Sequence, residues 1–310
     1  MGPGNRYSGG RVFLLALTFV VAAPVFRAHV DVQPENAVSS HGLSDLQSVV
    51  RPALQYGFEQ LRSGHVPLWN PQQLCGVPFQ ADPRTGLFQP LNAAFFLTTP
   101  EHAMALNAFI CLAIMGVGTA LFMRSLGLRY TPSLLAGIAY AFSGAVASAL
   151  AHPAYACALA WGPVLLWTTS EFRHGLGKGQ ALAVGVSGAL LLLSGSLALA
   201  LPFVFLAIPF AVAATLRPPA VDGKQLHYGD ALLGIGLATM VALALSAVQW
   251  LPTLFWLPQL ESPARVFWNF QDMAETPRRW KDIPLHMLAP RPGMVPRLVY
   301  VGIIPLVIAP

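Results

Sequence analysis

The sequence predicts an all-α polytopic membrane protein. Of its 310 residues, 55% are hydrophobic and only 10% are charged, whereas a soluble domain carries about 25% charged residues. The mean hydropathy is +0.57. Charged residues are missing from several long apolar runs and gather between them. These observations exclude collagen-like, disordered and disulfide-rich classes and favour a bundle of membrane-spanning helices.

Apolar runs define the predicted helices, because a helix needs about 20 apolar residues to cross the hydrocarbon core. The run 181–216 holds 36 uncharged residues, too many for one helix, so we divide it at Ser194–Gly195–Ser196. The run 230–257 begins with Asp230 as a helix cap. A single transmembrane domain is therefore predicted, with spans at 12–26, 103–123, 131–151, 154–170, 181–195, 197–216 and 230–257 and a partial span at 298–310.

The apolar runs at the two ends of the chain, 12–26 and 298–310, are shorter than the about 20 residues of a typical span. Residues 12–26 follow Arg6 and Arg11 as the apolar part of a signal peptide would, but cleavage after Ala23 would place a proline next, so we favour a retained span. The run 298–310 has 13 residues, too few to cross a bilayer. We expect the chain to be C-terminally incomplete.

Charged residues orient the predicted helices. With the N-terminus in the cytoplasm, each short inner loop carries two basic residues, as the positive-inside rule requires; the pairs are Arg124 and Arg129, Arg173 and Lys178, and Arg217 and Lys224. Ten of the 13 acidic residues fall in two outer segments, 28–102 and 258–297. No carboxylate lies in the interior of a span, which argues against a coupled transporter. The net charge of +5 is explained by the inner loops, so nucleic acid is not an expected partner.

The first outer segment predicts an amphipathic helix at the membrane surface. Ser44 and Gln47 have the spacing of a capping box, and apolar residues recur at helical spacing up to position 61. Pro52 must kink or restart this helix. Asp45 would lie in the first turn, where the helix dipole favours its charged form. It acts either as a base or cation ligand, or only as part of the helix cap.

A rigid loop follows this helix. Residues 64–83 contain four prolines and two glycines, too many for a helix or a central strand. In one interpretation Trp69 sits at the headgroup level or stacks on a sugar ring, and Asn70 bonds to sugar hydroxyl groups. In the other, the loop is a structural lid packed on the ends of the spans. Cys75 has no outer partner for a disulfide and is expected to be a small packing residue.

The same loop resembles a known family. The string "LRSGHVPLWNPQQLCGVPFQADPRTGLFQPLN", residues 61–92, is similar to the outer-loop signature of YfhO-like membrane proteins. Further matches follow in order at 134–167, 248–257, 262–265 and 301–306. The sequence departs from the family pattern at Cys75, where glycine is preferred, and at Gln72 and Gln89, where an aromatic residue is usual.

This resemblance implies a GT-C-like helical bundle and the activity of that class of integral-membrane glycosyltransferases. A sugar would move from a polyprenyl-phosphate-linked donor to an envelope polymer or lipid acceptor on the outer face of the bacterial inner membrane. The class places an essential aspartate after the first span, where Asp45 stands, with Asp82 and Asp31 as the next candidates. The alternative function is a non-catalytic transporter or envelope-assembly protein.

Transfer from a lipid phosphate also needs positive charge. Arg278, Arg279 and Lys281 lie within four positions of an outer segment, and Arg84 and Arg265 are further candidates. The alternative for the cluster is contact with lipid headgroups, with Trp280 as an interfacial anchor. A divalent metal is a possible cofactor, since His41 and Asp45 are spaced i, i+4, although no recognised metal motif supports it.

Overall fold

The computed structural model describes residues 50–256 and 258, except 74, 144–145, 147–148, 151, 175–176, 217–219, 222–223, 226–227 and 257. Its α-helices are α1 (Arg51–Arg62), α2 (Ala94–Leu97), α3 (Pro100–Ser125), α4 (Tyr130–Ala141), α5 (Pro153–Ser170), α6 (Lys178–Leu192), α7 (Leu197–Leu216) and α8 (Tyr228–Trp256). Short 3₁₀ turns cover Pro83–Thr85, Pro90–Ala93 and Glu171–His174. A hairpin of two-residue strands, β1 (Ala220–Val221) and β2 (Lys224–Gln225), joins α7 to α8. The regular secondary structure of the described residues is otherwise helical, as predicted.

Two of the described helices are long and apolar enough to cross a membrane. They are His102–Ser125 within α3 and Leu232–Trp256 within α8. In α3, 56% of the apolar stretch is buried inside the protein, whereas only 22% of the apolar stretch of α8 is buried. The first helix is therefore central to the bundle, and the second lies at its edge with most of its apolar surface uncovered.

Several element boundaries differ from the predicted ones. Helix α4 ends at Ala141, ten residues before the predicted end of the run 131–151. The next residues include Ser143 and Gly144, both poor helix formers, and the Ser143 hydroxyl accepts a bond from the Val146 amide. Helix α8 begins at Tyr228, so Asp230 lies in its first turn and not at its cap. The division of 181–216 is confirmed, because α6 ends and α7 begins on either side of Ser194–Gly195–Ser196.

Side-chain bonds fix the direction of the helices. The Ser125 and Ser170 hydroxyls bond to each other, which brings the carboxyl ends of α3 and α5 together. Gln180, in the first turn of α6, donates to the Thr168 carbonyl of α5. The start of α3 and the end of α6 therefore lie at the other end of the bundle. We call this other end the loop end, because the connection between α1 and α2 covers it.

Small residues let the helices approach closely. A Cβ atom added to Gly137 of α4 would overlap the Gly116 carbonyl of α3, and one added to Gly162 of α5 would overlap the Phe203 ring of α7. At Gly185 of α6 the same atom would lie 2.7 Å from Val241 of α8. Close backbone approach through small residues is the usual packing of helices in lipid, where van der Waals contact and not the hydrophobic effect drives association.

Prolines inside the helices leave carbonyl groups without their usual donor. Pro163 has no N–H to give to the Leu159 carbonyl one turn earlier. The Tyr140 hydroxyl of α4 donates to that carbonyl at 3.0 Å. A buried carbonyl without a partner is costly, so the tyrosine both satisfies this group and joins α4 to α5.

Candidate functional site

The α1–α2 loop, residues 63–93, covers the loop end of the bundle. It lies against the turn between α6 and α7, where Gly195 has φ +88 and a Cβ atom would overlap the Pro83 carbonyl. The Gln89 side chain donates to the Leu190 carbonyl at 2.7 Å, in the last turn of α6. Glycine is required at position 195 for both its backbone conformation and its lack of a side chain.

A second set of bonds holds the α1–α2 loop to α8. Pro252 leaves the Val248 carbonyl without its helical donor, and the Gln80 side chain donates to it at 3.1 Å. In return, Gln249 donates to the Gln80 carbonyl at 3.1 Å and Thr253 donates to the Ala81 carbonyl at 2.9 Å. The loop is thus bonded to α8 at a carbonyl group that lacks its helical donor because of Pro252.

A chain of buried polar groups runs from the α1–α2 loop into the bundle. Asn92 donates to the Gly86 carbonyl at 2.8 Å, and Asn107 of α3 donates to the Asn92 side-chain oxygen at 2.8 Å. The Cys111 thiol donates to the Asn107 side-chain oxygen at 3.5 Å. These side chains are at most 1% exposed. Because burial makes each unpaired polar group costly, the chain fixes the loop in one position on α3.

Two of the predicted substrate-binding residues in this loop, Trp69 and Asn70, lie in different environments. Asn70 is 4% exposed; its backbone pairs with Val77, and its side-chain oxygen accepts from the Gln72 amide at 2.9 Å. Trp69 is 49% exposed, and its carbonyl accepts from the Tyr56 hydroxyl. The buried asparagine favours the interpretation of the loop as a structural lid, whereas half of the tryptophan surface is open to a ligand.

Asp82 and Arg84 bond to each other. The carboxylate accepts from the Arg84 amide at 3.0 Å and from two guanidinium nitrogens, the shortest at 2.7 Å. It also caps the turn Pro83–Thr85. Asp82 therefore has a structural task that a free catalytic base does not have. The other predicted site residues lie outside the described residues; they are Asp31, Asp45, Arg265, Arg278, Arg279 and Lys281.

Cys75 is exposed, so its prediction as a packing residue is wrong. Its backbone has φ +63, in the left-handed region that favours glycine. This conformation gives a physical reason for a glycine at this position of the loop. Cys111 and Cys157 are fully buried with their sulfur atoms 3.8 Å apart.

A groove of about 450 Å³ opens between α1 and the start of α3, at the loop end. Its polar lining comes from Gln55, Glu59 and Arg62 of α1 and from Thr98 and Thr99, which precede α3; Phe58 and Phe95 form part of the apolar wall. These residues were not predicted from the sequence. Their spacing of i, i+4 and i+7 along α1 gives the polar face of an amphipathic helix, but the prediction used only the apolar face.

Within the described part of the chain, no group of three or more His, Cys, Asp and Glu side chains has the arrangement of a metal site. The predicted pair His41 and Asp45 lies outside it. Comparisons with protein-family models, with curated proteins and with solved structures give no match for this chain.

Proposed function

We propose that this chain is an integral-membrane glycosyltransferase of the GT-C type, which its sequence resembles. It transfers a sugar from a polyprenyl-phosphate-linked donor to an envelope polymer or lipid acceptor on the outer face of the bacterial inner membrane. Asp45 is the catalytic carboxylate. The cluster of Arg278, Arg279 and Lys281 stabilises the departing phosphate.

The observation that carries this proposal is the position of the polar groups relative to the apolar helices. The rigid α1–α2 loop and the polar groove both lie at the loop end, where α3 begins and α8 ends. A donor on a polyprenyl chain has its phosphate and sugar at the membrane surface and its tail in the hydrocarbon. An apolar bundle with a polar loop and a polar groove at its loop end matches that division.

Each proposed group has a chemical task. A carboxylate near the acceptor hydroxyl removes its proton, which contributes about 10²–10⁴-fold to the rate. Cationic side chains stabilise the charge on the leaving phosphate. Trp69 is the exposed aromatic residue of the loop, and its ring offers a surface on which a sugar stacks.

The experiment that tests the proposal is sugar transfer by membranes that contain the protein, with a panel of polyprenyl-phosphate-linked sugars. Asp45→Asn should lower the rate by at least about 10²-fold, the low end for loss of a general base. Asp82→Asn is the control and should cost less, because Asp82 holds Arg84 and a turn. If Asp45→Asn keeps near-normal transfer, the assignment of Asp45 is wrong. If separate substitutions of Asp45, Asp82 and Asp31 all leave the transfer rate of an active protein unchanged, the carboxylate mechanism is wrong.

A further inference from the structure

Two opposite charges on consecutive turns of α1 line the same groove without pairing with each other. Glu59 accepts a bond from Gln55 at 2.9 Å, and Arg62 donates to the Phe95 carbonyl in α2. Residues spaced i, i+3 on a helix are neighbours and form an ion pair when both are otherwise unengaged. Within the described residues, the guanidinium of Arg62 is instead directed across the groove towards α2, which separates the two charges.

Both groups keep bonding capacity for a ligand. A guanidinium has five N–H donors and a carboxylate accepts about four hydrogen bonds. The described contacts use one donor of Arg62 and one acceptor site of Glu59. The Thr98 and Thr99 side chains lie in the same lining, where the Thr98 hydroxyl donates to the Ala94 carbonyl and the Thr99 hydroxyl bonds to the His102 ring. The groove therefore offers a positive site beside a negative site.

The rim of the groove is apolar and uncovered. Leu97, in the lining, is 79% exposed, and the adjacent Phe96 is 42% exposed. Both stand just before α3, which enters the bundle as one of its long apolar helices. Exposed apolar side chains beside a polar groove at this level match the boundary between lipid headgroups and acyl chains.

We propose that this groove binds a zwitterionic phospholipid that carries a primary ammonium group, of the phosphatidylethanolamine type. Arg62 holds the phosphate, Glu59 and Gln55 accept from the ammonium, and the acyl chains lie on Leu97 and Phe96. A purely anionic headgroup meets repulsion from Glu59. A quaternary ammonium headgroup has no N–H to donate to the carboxylate. The inference rests on the membrane placement in the proposed function but not on glycosyl transfer.

The test is lipid binding to the purified full-length chain in detergent, with phosphatidylethanolamine, phosphatidylglycerol and phosphatidylcholine compared under identical conditions. The wild type should prefer the ethanolamine lipid. Arg62→Gln should weaken the binding of all three lipids by about tenfold, the low end for loss of a charged hydrogen bond. Glu59→Gln should lower the preference for the ethanolamine lipid over phosphatidylglycerol by about tenfold and so remove it. Lys178→Gln, an exposed charge at the other end of the bundle, is the matched control and should change nothing. Equal binding of the three lipids by the wild type, or an unchanged preference in Glu59→Gln, overturns the proposal.

A second comparison separates a lipid from a soluble ligand. Glycerophosphoethanolamine, which has the same headgroup without acyl chains, should bind at least about tenfold more weakly than the lipid, because burial of each CH₂ contributes about 0.8 kcal/mol. Leu97→Gln should weaken the lipid and leave the soluble headgroup unaffected. Equal binding of both ligands overturns the lipid assignment. If alkaline extraction releases the wild type from membranes, the proposed function fails; if the protein stays and shows no lipid preference, only this inference fails.

Discussion

Backbone conformation at single residues explains parts of the α1–α2 loop that composition does not. Cys75 is the described non-glycine residue with positive φ, and its thiol is exposed. A residue with a Cβ atom in the left-handed region costs about 1–3 kcal/mol when the surrounding structure holds it there. The bonds of this loop to α6 and α8 provide that constraint.

Cys75→Gly should raise the free energy of unfolding by about 1 kcal/mol, because the strain is relieved while the flexibility of glycine in the unfolded chain takes back part of the gain. The measurement is chemical or thermal unfolding in detergent. Cys75→Ala is the control; it removes the thiol but keeps the Cβ atom, so it should leave stability nearly unchanged. A gain in the alanine variant as large as in the glycine variant would assign the effect to the thiol.

At the scale of elements, helix-breaking residues are used as attachment points. Pro163 frees a carbonyl that Tyr140 of α4 satisfies, and Pro252 frees one that Gln80 of the α1–α2 loop satisfies. In both cases the lost helical bond is replaced by a bond from another element. The prolines therefore join elements and do not only bend helices.

Gln80→Ala should destabilise the docked loop by about 1 kcal/mol, because the Val248 carbonyl loses its donor. The same change in a Pro252→Ala background should cost less, since the alanine introduced there supplies the helical N–H to that carbonyl. The measurement is a double-mutant cycle on unfolding in detergent. Additive effects of the two changes would mean that Gln80 does not act through the freed carbonyl.

At the scale of the whole molecule, the uncovered apolar surface of α8 is the main sign of the environment. Leu233, Met240 and Leu243 are 73%, 68% and 59% exposed. They belong to α8, in which only 22% of the apolar stretch is buried inside the protein. A soluble protein rarely exposes so continuous an apolar surface, whereas acyl chains cover it in a bilayer.

Leu243→Asp should reduce the fraction of protein that resists alkaline extraction from membranes, because a central aspartate opposes helix insertion by about 2.5–3.5 kcal/mol. Leu126→Asp is the control. Its position follows α3 at the end of the bundle remote from the α1–α2 loop, and it should have little effect. Greater solubility and stability of Leu243→Asp without membranes would contradict the placement of α8 in lipid.

The three cysteines provide a test of orientation. Cys75 is exposed on the α1–α2 loop, and Cys111 and Cys157 are buried. A membrane-impermeant maleimide should therefore label intact cells at Cys75. In a Cys75→Ser background, Leu128→Cys, at an exposed position after α3, should react only after the membrane is made permeable. Labelling of both positions in intact cells would refute the predicted topology.

The sequence by itself determined the all-helical class, the division at Ser194–Gly195–Ser196 and the irregular loop after α1. These features follow from local rules, namely apolar run length, poor helix formers and proline content, that act within a few residues. Of the candidate site, the role of Trp69 as an aromatic residue for a ligand stays a prediction. Pro52, predicted to kink or restart a helix, lies in the first turn of α1.

Only the tertiary structure decided which polar side chains are used inside the protein and which face a groove. Asn70 and Asp82 look like ligand-binding residues in the sequence, but both bond within the loop. Glu59 and Arg62 look like an ordinary charged helix face, yet they line a groove because Phe95 and Thr98 approach α1 from the other side of the loop. The two sides of the groove come from residues more than 30 positions apart, and the energy of a polar group depends on its burial and its partner, which no local pattern contains.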